Sequence, residues 1–94
     1  MATIKGKTKS GFSFTIDEDA RDDIELMEGF IAMSEGKLNV VPGLIASLLG
    51  EEQKKKLYEH CRNKETGRVR ASSIYTELDD IMTIAREKAE QTKN

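Results

Sequence analysis

The chain has 94 residues, room for one core and therefore one domain. Hydrophobic residues make up 37% and charged residues 34%, and the formal net charge of −2 provides no global field to draw nucleic acid or an anionic membrane. A lone cysteine makes no internal disulfide, Met1-Ala2-Thr3 lacks the apolar run of a signal peptide, and the longest apolar stretch falls far short of a membrane span. The expectation is a soluble, cytoplasmic protein.

Residues 1–11 are rich in Lys, Thr, Gly and Ser and read as a loose end. In "FSFTI", Phe12, Phe14 and Ile16 alternate with polar residues and share one face, which is strand periodicity. Thr3 to Lys5 can pair with this strand across a turn at Lys7 to Gly11, and so short a hairpin must pack on helices to persist. Asp17 and Asp19 are N-cap candidates for a first helix over about Ala20 to Ser34, with acids crowding its first turn. Met33, Leu26, Phe30, Met27, Ile31 and Ile24 cover about half of that helix's circumference. It is either wedged between two elements or presents one flank outward.

Val40 to Leu49 predicts a second helix, with Pro42 in its first turn and Gly50 ending it. Val41, Leu44, Ile45, Leu48 and Leu49 leave it little polar surface, so it belongs at the centre. A third helix, about Glu51 to Lys64, carries only Leu57, Tyr58 and Cys61 as an apolar stripe and belongs at the surface. After a turn at Gly67, a last helix over about Ala71 to Gln91 has a narrow seam of Ile74, Leu78, Ile81 and Ala85, edged by Tyr75, Met82 and Ile84. The fold class is mainly α: a compact four-helix domain with a short N-terminal β-strand or hairpin, one domain over 1–94 with 1–11 and 90–94 as flexible ends.

The chemistry of catalysis is missing. His60 and Cys61 are sequence neighbours on a helix, so their side chains point about 100° apart and do not pair as base and nucleophile. One His and one Cys make no zinc site within one chain. "NKETGRVRASSI" has the glycine of a calcium loop at Gly67, but Arg62, Lys64, Thr66 and Ser73 stand where carboxylates would coordinate. No phosphate-cradling glycine motif occurs. The expectation is a protein that is not an enzyme and needs no cofactor and no metal. A DNA-binding helix-turn-helix around Gly50 would open its reading helix with Glu51-Glu52, which phosphates repel, and Lys54-Lys55-Lys56 fan around the axis without forming one stripe.

Two stretches together resemble a known family. "FSFTIDEDARDDIELMEGFIAM" and "VPGLIASLLGEEQKKKLYEHCRNKETGRV", the latter through "LLGEEQ...L.EH.R...GRV", are similar to the small tail assembly chaperones of long-tailed bacteriophages and prophages of Gram-positive bacteria. The similarity covers roughly residues 12 to 70 and departs at Ile24, where the family often carries Trp after the paired acids. The resemblance implies a non-catalytic holdase of the host bacterial cytoplasm that coats apolar helical segments of the tape measure protein, helps recruit tail tube protein, and is absent from the mature virion. It also implies a longer product made by frameshifting near the end of the short frame, a position that "TKN", Thr92-Lys93-Asn94, would occupy. The runner-up is a structural head–tail connector or tail completion protein, and a small helical DNA-binding regulator comes third. Under the leading reading, Leu26, Phe30 and Met33 on one flank of the first helix, with Met82 and Ile84 of the last, are the candidate client contacts, since Met adapts to many apolar sequences.

Charge is divided along the chain. Asp17 to Glu28 holds seven acids against Arg21, giving −6, and Lys54 to Arg70 holds seven bases against Glu59 and Glu65, giving +5. Complementary patches steer and register copies of one chain. The expected outcome is a homo-oligomer that grows with concentration and weakens with added salt, because exposed charge pairs are screened over about 8 to 10 Å at physiological ionic strength. Sedimentation at low and high salt checks it; a salt-insensitive monomer at high concentration is the contrary result.

Overall fold

The computed structural model describes residues 2–91. The order of elements is β1 (Thr3–Lys7), β2 (Ser13–Asp17), a 3-10 turn (Glu18–Asp22), α1 (Ile24–Ser34), a second 3-10 turn (Leu38–Val40), α2 (Val41–His60) and α3 (Ala71–Gln91). The protein is mostly helical (66%), and among the described residues there are three α-helices in place of the four expected. The difference lies at Gly50, where the second and third expected helices run into each other without an intervening loop.

β1 and β2 form an antiparallel hairpin in which Ile4 faces Ile16 and Gly6 faces Phe14. Ile4, Phe12, Phe14 and Ile16 are all buried, so the alternation in "FSFTI" marks the face that packs on the helices. The segment expected to be loose is therefore built into the fold: residues 3–7 are paired, and Thr8 is buried. Composition misleads here because the polar groups of the turn find partners on α3. At the other end, residues 90 and 91, also expected to be loose, belong to α3, while Thr92-Lys93-Asn94 lie outside the described residues.

α2 supplies the centre. Val41, Leu44, Ile45, Leu48 and Leu49 are buried in its first half, and Leu57 alone is buried in its second. Gly50 separates the halves with φ 81° and ψ 163°, a conformation that is essentially glycine-only. The Gln53 side chain secures this break. Its Nε2 donates to Leu49 O and Thr15 O, both at 2.7 Å, while its Oε1 accepts from Thr15 N–H at 2.8 Å. One amide thus ties α2 to the backbone of β2 as a third strand would. α3 closes the core with Ile74, Leu78, Ile81 and Ala85 buried and Tyr75, Met82 and Ile84 half-buried beside them, the seam and edges its spacing predicts.

The first helix is shorter than its acidic run suggests. Asp17 Oδ1 accepts from Asp19 N–H at 2.9 Å and caps only the 3-10 turn. Asp23, in extended backbone, then takes the N–H of Glu25 at 2.8 Å and of Leu26 at 3.3 Å, so α1 starts at Ile24. Gly29 brings α1 close to α2: a Cβ there would lie 2.8 Å from Leu44 Cδ1.

Two glycines of α2 give a matched test. Nothing lies within 4 Å of a Cβ added at Gly50 or at Gly43, so substitution at either reads out the backbone alone. Gly50→Ala is expected to cost about 1–3 kcal/mol, because alanine is forced into a left-handed conformation. Gly43→Ala, in the first turn of the helix, should be neutral or stabilising by up to about 1 kcal/mol. Urea unfolding of the two variants beside the parent checks both signs.

Candidate functional site

Among the described residues, three of the four exposed large apolar side chains lie on α1. Ile24 is 66% exposed, Met27 43% and Ile31 58%, and they stand at positions i, i+3 and i+7 on one face. Leu38, in the 3-10 turn that follows, is also exposed. Three features create this row. The Asp23 cap fixes where the helical face begins, and the approach of Gly29 to Leu44 fixes which side turns inward. α1 ends at Ser34 with Glu35 as its C-cap, and Lys37 N–H closes it onto Ala32 O at 2.9 Å.

The five residues singled out from the sequence occupy other places. Leu26 is buried in the core at 4% exposure, on the side of α1 away from the row. Phe30, Met33, Met82 and Ile84 are half-buried and packed against the core. The exposed row of α1 is instead Ile24, Met27 and Ile31. Periodicity gave the width of the apolar arc but not its rotation, and the signal for rotation was Gly29, which marks the side closest to another helix.

Beside Leu38 an apolar groove of about 290 Å³ is lined by Val41, Pro42, Tyr58, Val69, Ile74 and Tyr75. Lys54 Nζ sits 5.8 Å from the centroid of the Tyr58 ring at this edge of α2.

A second feature is polar, and the sequence did not reveal it. The hairpin turn lays Thr8, Lys9 and Ser10 on α3. Thr8 Oγ1 donates to Glu77 Oε1, Ser10 Oγ to Glu77 Oε2 and Lys9 N–H to Asp80 Oδ2, each at 2.7 Å. Thr8 Oγ1 also accepts from Phe12 N–H at 3.0 Å. His60 Nε2 lies 2.8 Å from Ser10 Oγ, and its ring is tilted against Phe12 with centroids 5.5 Å apart. The available signal was an acid, Glu77, at the edge of the seam of α3 facing a turn rich in hydroxyls.

The direction of these bonds decides what the cluster does. Ser10 donates to Glu77, so in the contact with His60 the imidazole Nε2 carries the hydrogen and Ser10 accepts. A nucleophilic serine requires the reverse: an imidazole that takes the serine proton and a carboxylate on the far ring nitrogen. Here the carboxylate of Glu77, 5% exposed, bonds the serine directly and holds the turn on α3. A cavity of about 360 Å³ beside it is bordered by His60, Cys61, Ser72, Ser73 and Thr76. Burial, with the nearby Glu77 charge, pushes the Cys61 thiol up to about 11. Among the described residues no group of three or more His, Cys, Asp or Glu side chains is placed to hold a metal ion, and no helix is long and apolar enough to cross a membrane.

Comparison with protein-family models, curated proteins and solved structures finds no match for this chain.

The state of Cys61 has a measurable consequence. A thiol raised from 9.0 to about 11 carries about 100-fold less thiolate at pH 8, and thiolate is the form that alkylates. Iodoacetamide labelling at pH 8 is therefore expected to be at least about tenfold slower in the folded protein than in urea. Equal rates would mean that the thiol is not sheltered.

Proposed function

We propose that this protein is a non-catalytic assembly chaperone of a long-tailed bacteriophage or prophage, acting in the host bacterial cytoplasm. Its client is the tape measure protein, whose apolar helical segments it binds while tail tube protein is recruited. The observation that carries this reading is the row of Ile24, Met27 and Ile31, large apolar side chains left uncovered on one face of α1. The resemblance of residues 12 to 70 to tail assembly chaperones supplies the identity of the client.

The energetics suit reversible holding. Covering a side chain such as Ile24 or Ile31 gains roughly 1 to 2 kcal/mol each, taking two-thirds of the value for full burial. Association itself costs about 4 kcal/mol or more in lost freedom, so one row makes a weak contact. Weak contacts suffice where copies linked to one another line a long client, since the first contact then raises the effective concentration of the next.

Substitutions on the two sides of α1 test the reading. Ile24→Ser and Ile31→Ser remove exposed side chains and are expected to leave thermal melting within a few degrees of the parent while abolishing co-purification with co-expressed tape measure protein. Phe30→Ser, against the core, is expected to cost a few kcal/mol of stability. Retention of the client by the Ile24→Ser, Ile31→Ser double variant would remove the row as the binding surface. Mass spectrometry of purified particles adds a separate check, since the chaperone reading expects the protein to be absent there.

A further inference from the structure

The acids of α1 border the apolar row on one side only. At 100° per residue, Met27, Ile31 and Ile24 span about 60° of the outward face, and Glu28 and Glu25 follow over about the next 100°. Beyond Met27 on the other side the surface returns through Ser34 to half-buried Phe30. α1 contains no basic residue, and Asp22 and Asp23 precede it. Glu35 extends the acidic edge past the last turn, its charge shared with Lys37 at 3.5 Å.

We propose that this face takes an amphipathic helix of a partner protein whose apolar stripe is edged along one side by lysine or arginine. The inference rests on the client-binding reading of the row and adds what the client must look like. Three observations select this occupant. The row is a ridge of side chains at i, i+3 and i+7, about 10 Å long from Ile24 to Ile31, which matches two turns of a facing helix. The backbone of α1 is satisfied within its own helix, so a strand has no edge to pair with. The acidic edge attracts basic residues, and it disfavours both acidic segments and the anionic lipid surface that exposed apolar side chains otherwise seek. Because the charge lies on one side, a client edged by bases on one side docks in one orientation and not the reverse. Contacts with Glu25 and Glu28 raise the association rate and fix register, while Ile24, Met27 and Ile31 provide the burial.

Two designed helical peptides with the same leucine and isoleucine stripe separate the parts of this proposal, one with lysines along one flank and the other with glutamates at those positions. Fluorescence anisotropy with the full chain is expected to show the lysine peptide binding at least about tenfold tighter at low salt, with the gap closing as salt is added. Glu25→Gln with Glu28→Gln is expected to bring the lysine peptide to the level of the glutamate peptide with melting almost unchanged, and Ile24→Ser with Ile31→Ser to abolish binding of both. Equal binding of the two peptides, still dependent on Ile24 and Ile31, would overturn the charge inference and leave the client-binding reading intact. Binding of neither peptide would overturn both. Binding of the lysine peptide to the Ile24→Ser, Ile31→Ser variant as tightly as to the parent would place it elsewhere on the protein and overturn the proposal. So would dissociation of an oligomer by Ile31→Ser in sedimentation, since the row would then be covered by a second copy.

Discussion

The arrangement of the core depends on the backbone of Gly50. An unbroken helix over Val41–His60 would carry its nearly all-apolar first half and its lysine-rich second half along one axis, and both could not meet the same core. With φ at 81° and ψ at 163°, Gly50 resets the direction of the chain without adding a loop. The first half is then surrounded, with Ile45 fully buried, while the second turns only Leu57 inward and keeps Lys55 and Lys56 in water. Gln53 makes the reset compatible with the hairpin, because the amide that supports the broken helix also occupies both hydrogen-bonding groups of Thr15. A two-stranded hairpin is marginal alone. Here one edge is held by Gln53 and the turn by Glu77, so two polar side chains from two helices turn a marginal hairpin into a wall of the core.

That solution draws its core from both strands and all three α-helices. Among the described residues, fifteen hydrophobic side chains form the buried cluster, drawn from β1, β2, α1, α2 and α3 and from Phe12 in the turn. α1 contributes only Leu26 to them in full, and it lies close against α2 where Gly29 faces Leu44. A helix so placed buries one side and leaves the other without a neighbour. In a small domain the core is already marginal, and Ile24, Met27 and Ile31 would strengthen it if they were turned inward. Their outward position leaves a row of apolar side chains at the surface instead.

What was legible in the sequence, and what was not, follows from the range of the interactions involved. The alternation of Phe12, Phe14 and Ile16, the seam of Ile74, Leu78, Ile81 and Ala85, and the buried half of α2 are local periodicities, and each is buried as its spacing predicts. The start of α1 was misplaced because Asp17 and Asp23 are both competent caps; the first closes a 3-10 turn and the second starts the helix, a choice made by the packing of α1 on α2. The helix count differed because a glycine that ends a helix and a glycine that redirects one look the same in sequence. The links from Thr8 and Ser10 to Glu77 span 69 and 67 residues, and nothing local announces them. The candidate contacts Leu26, Phe30 and Met33 were chosen from the correct apolar arc without knowledge of its rotation, which only the tertiary contact at Gly29 sets.

The polar cluster and the apolar row also differ in what they leave available. In the cluster every strong group is already engaged: Glu77 receives two hydroxyls, Ser10 bridges it to His60, and Asp80 receives the N–H of Lys9. Burial and the nearby Glu77 charge push the Cys61 thiol beside it up, which disfavours the thiolate. Such a network rigidifies the corner where hairpin, α2 and α3 meet. The row on α1 is the converse, with large exposed apolar side chains and the acids Glu25 and Glu28 along one edge. Acids beside an exposed apolar surface have two effects at once: they keep like surfaces of other copies apart, and they admit a partner of opposite charge. The strained and hydrogen-bonded features described above serve the fold, whereas the outward face of α1 is an apolar row edged by acids that the fold itself does not use.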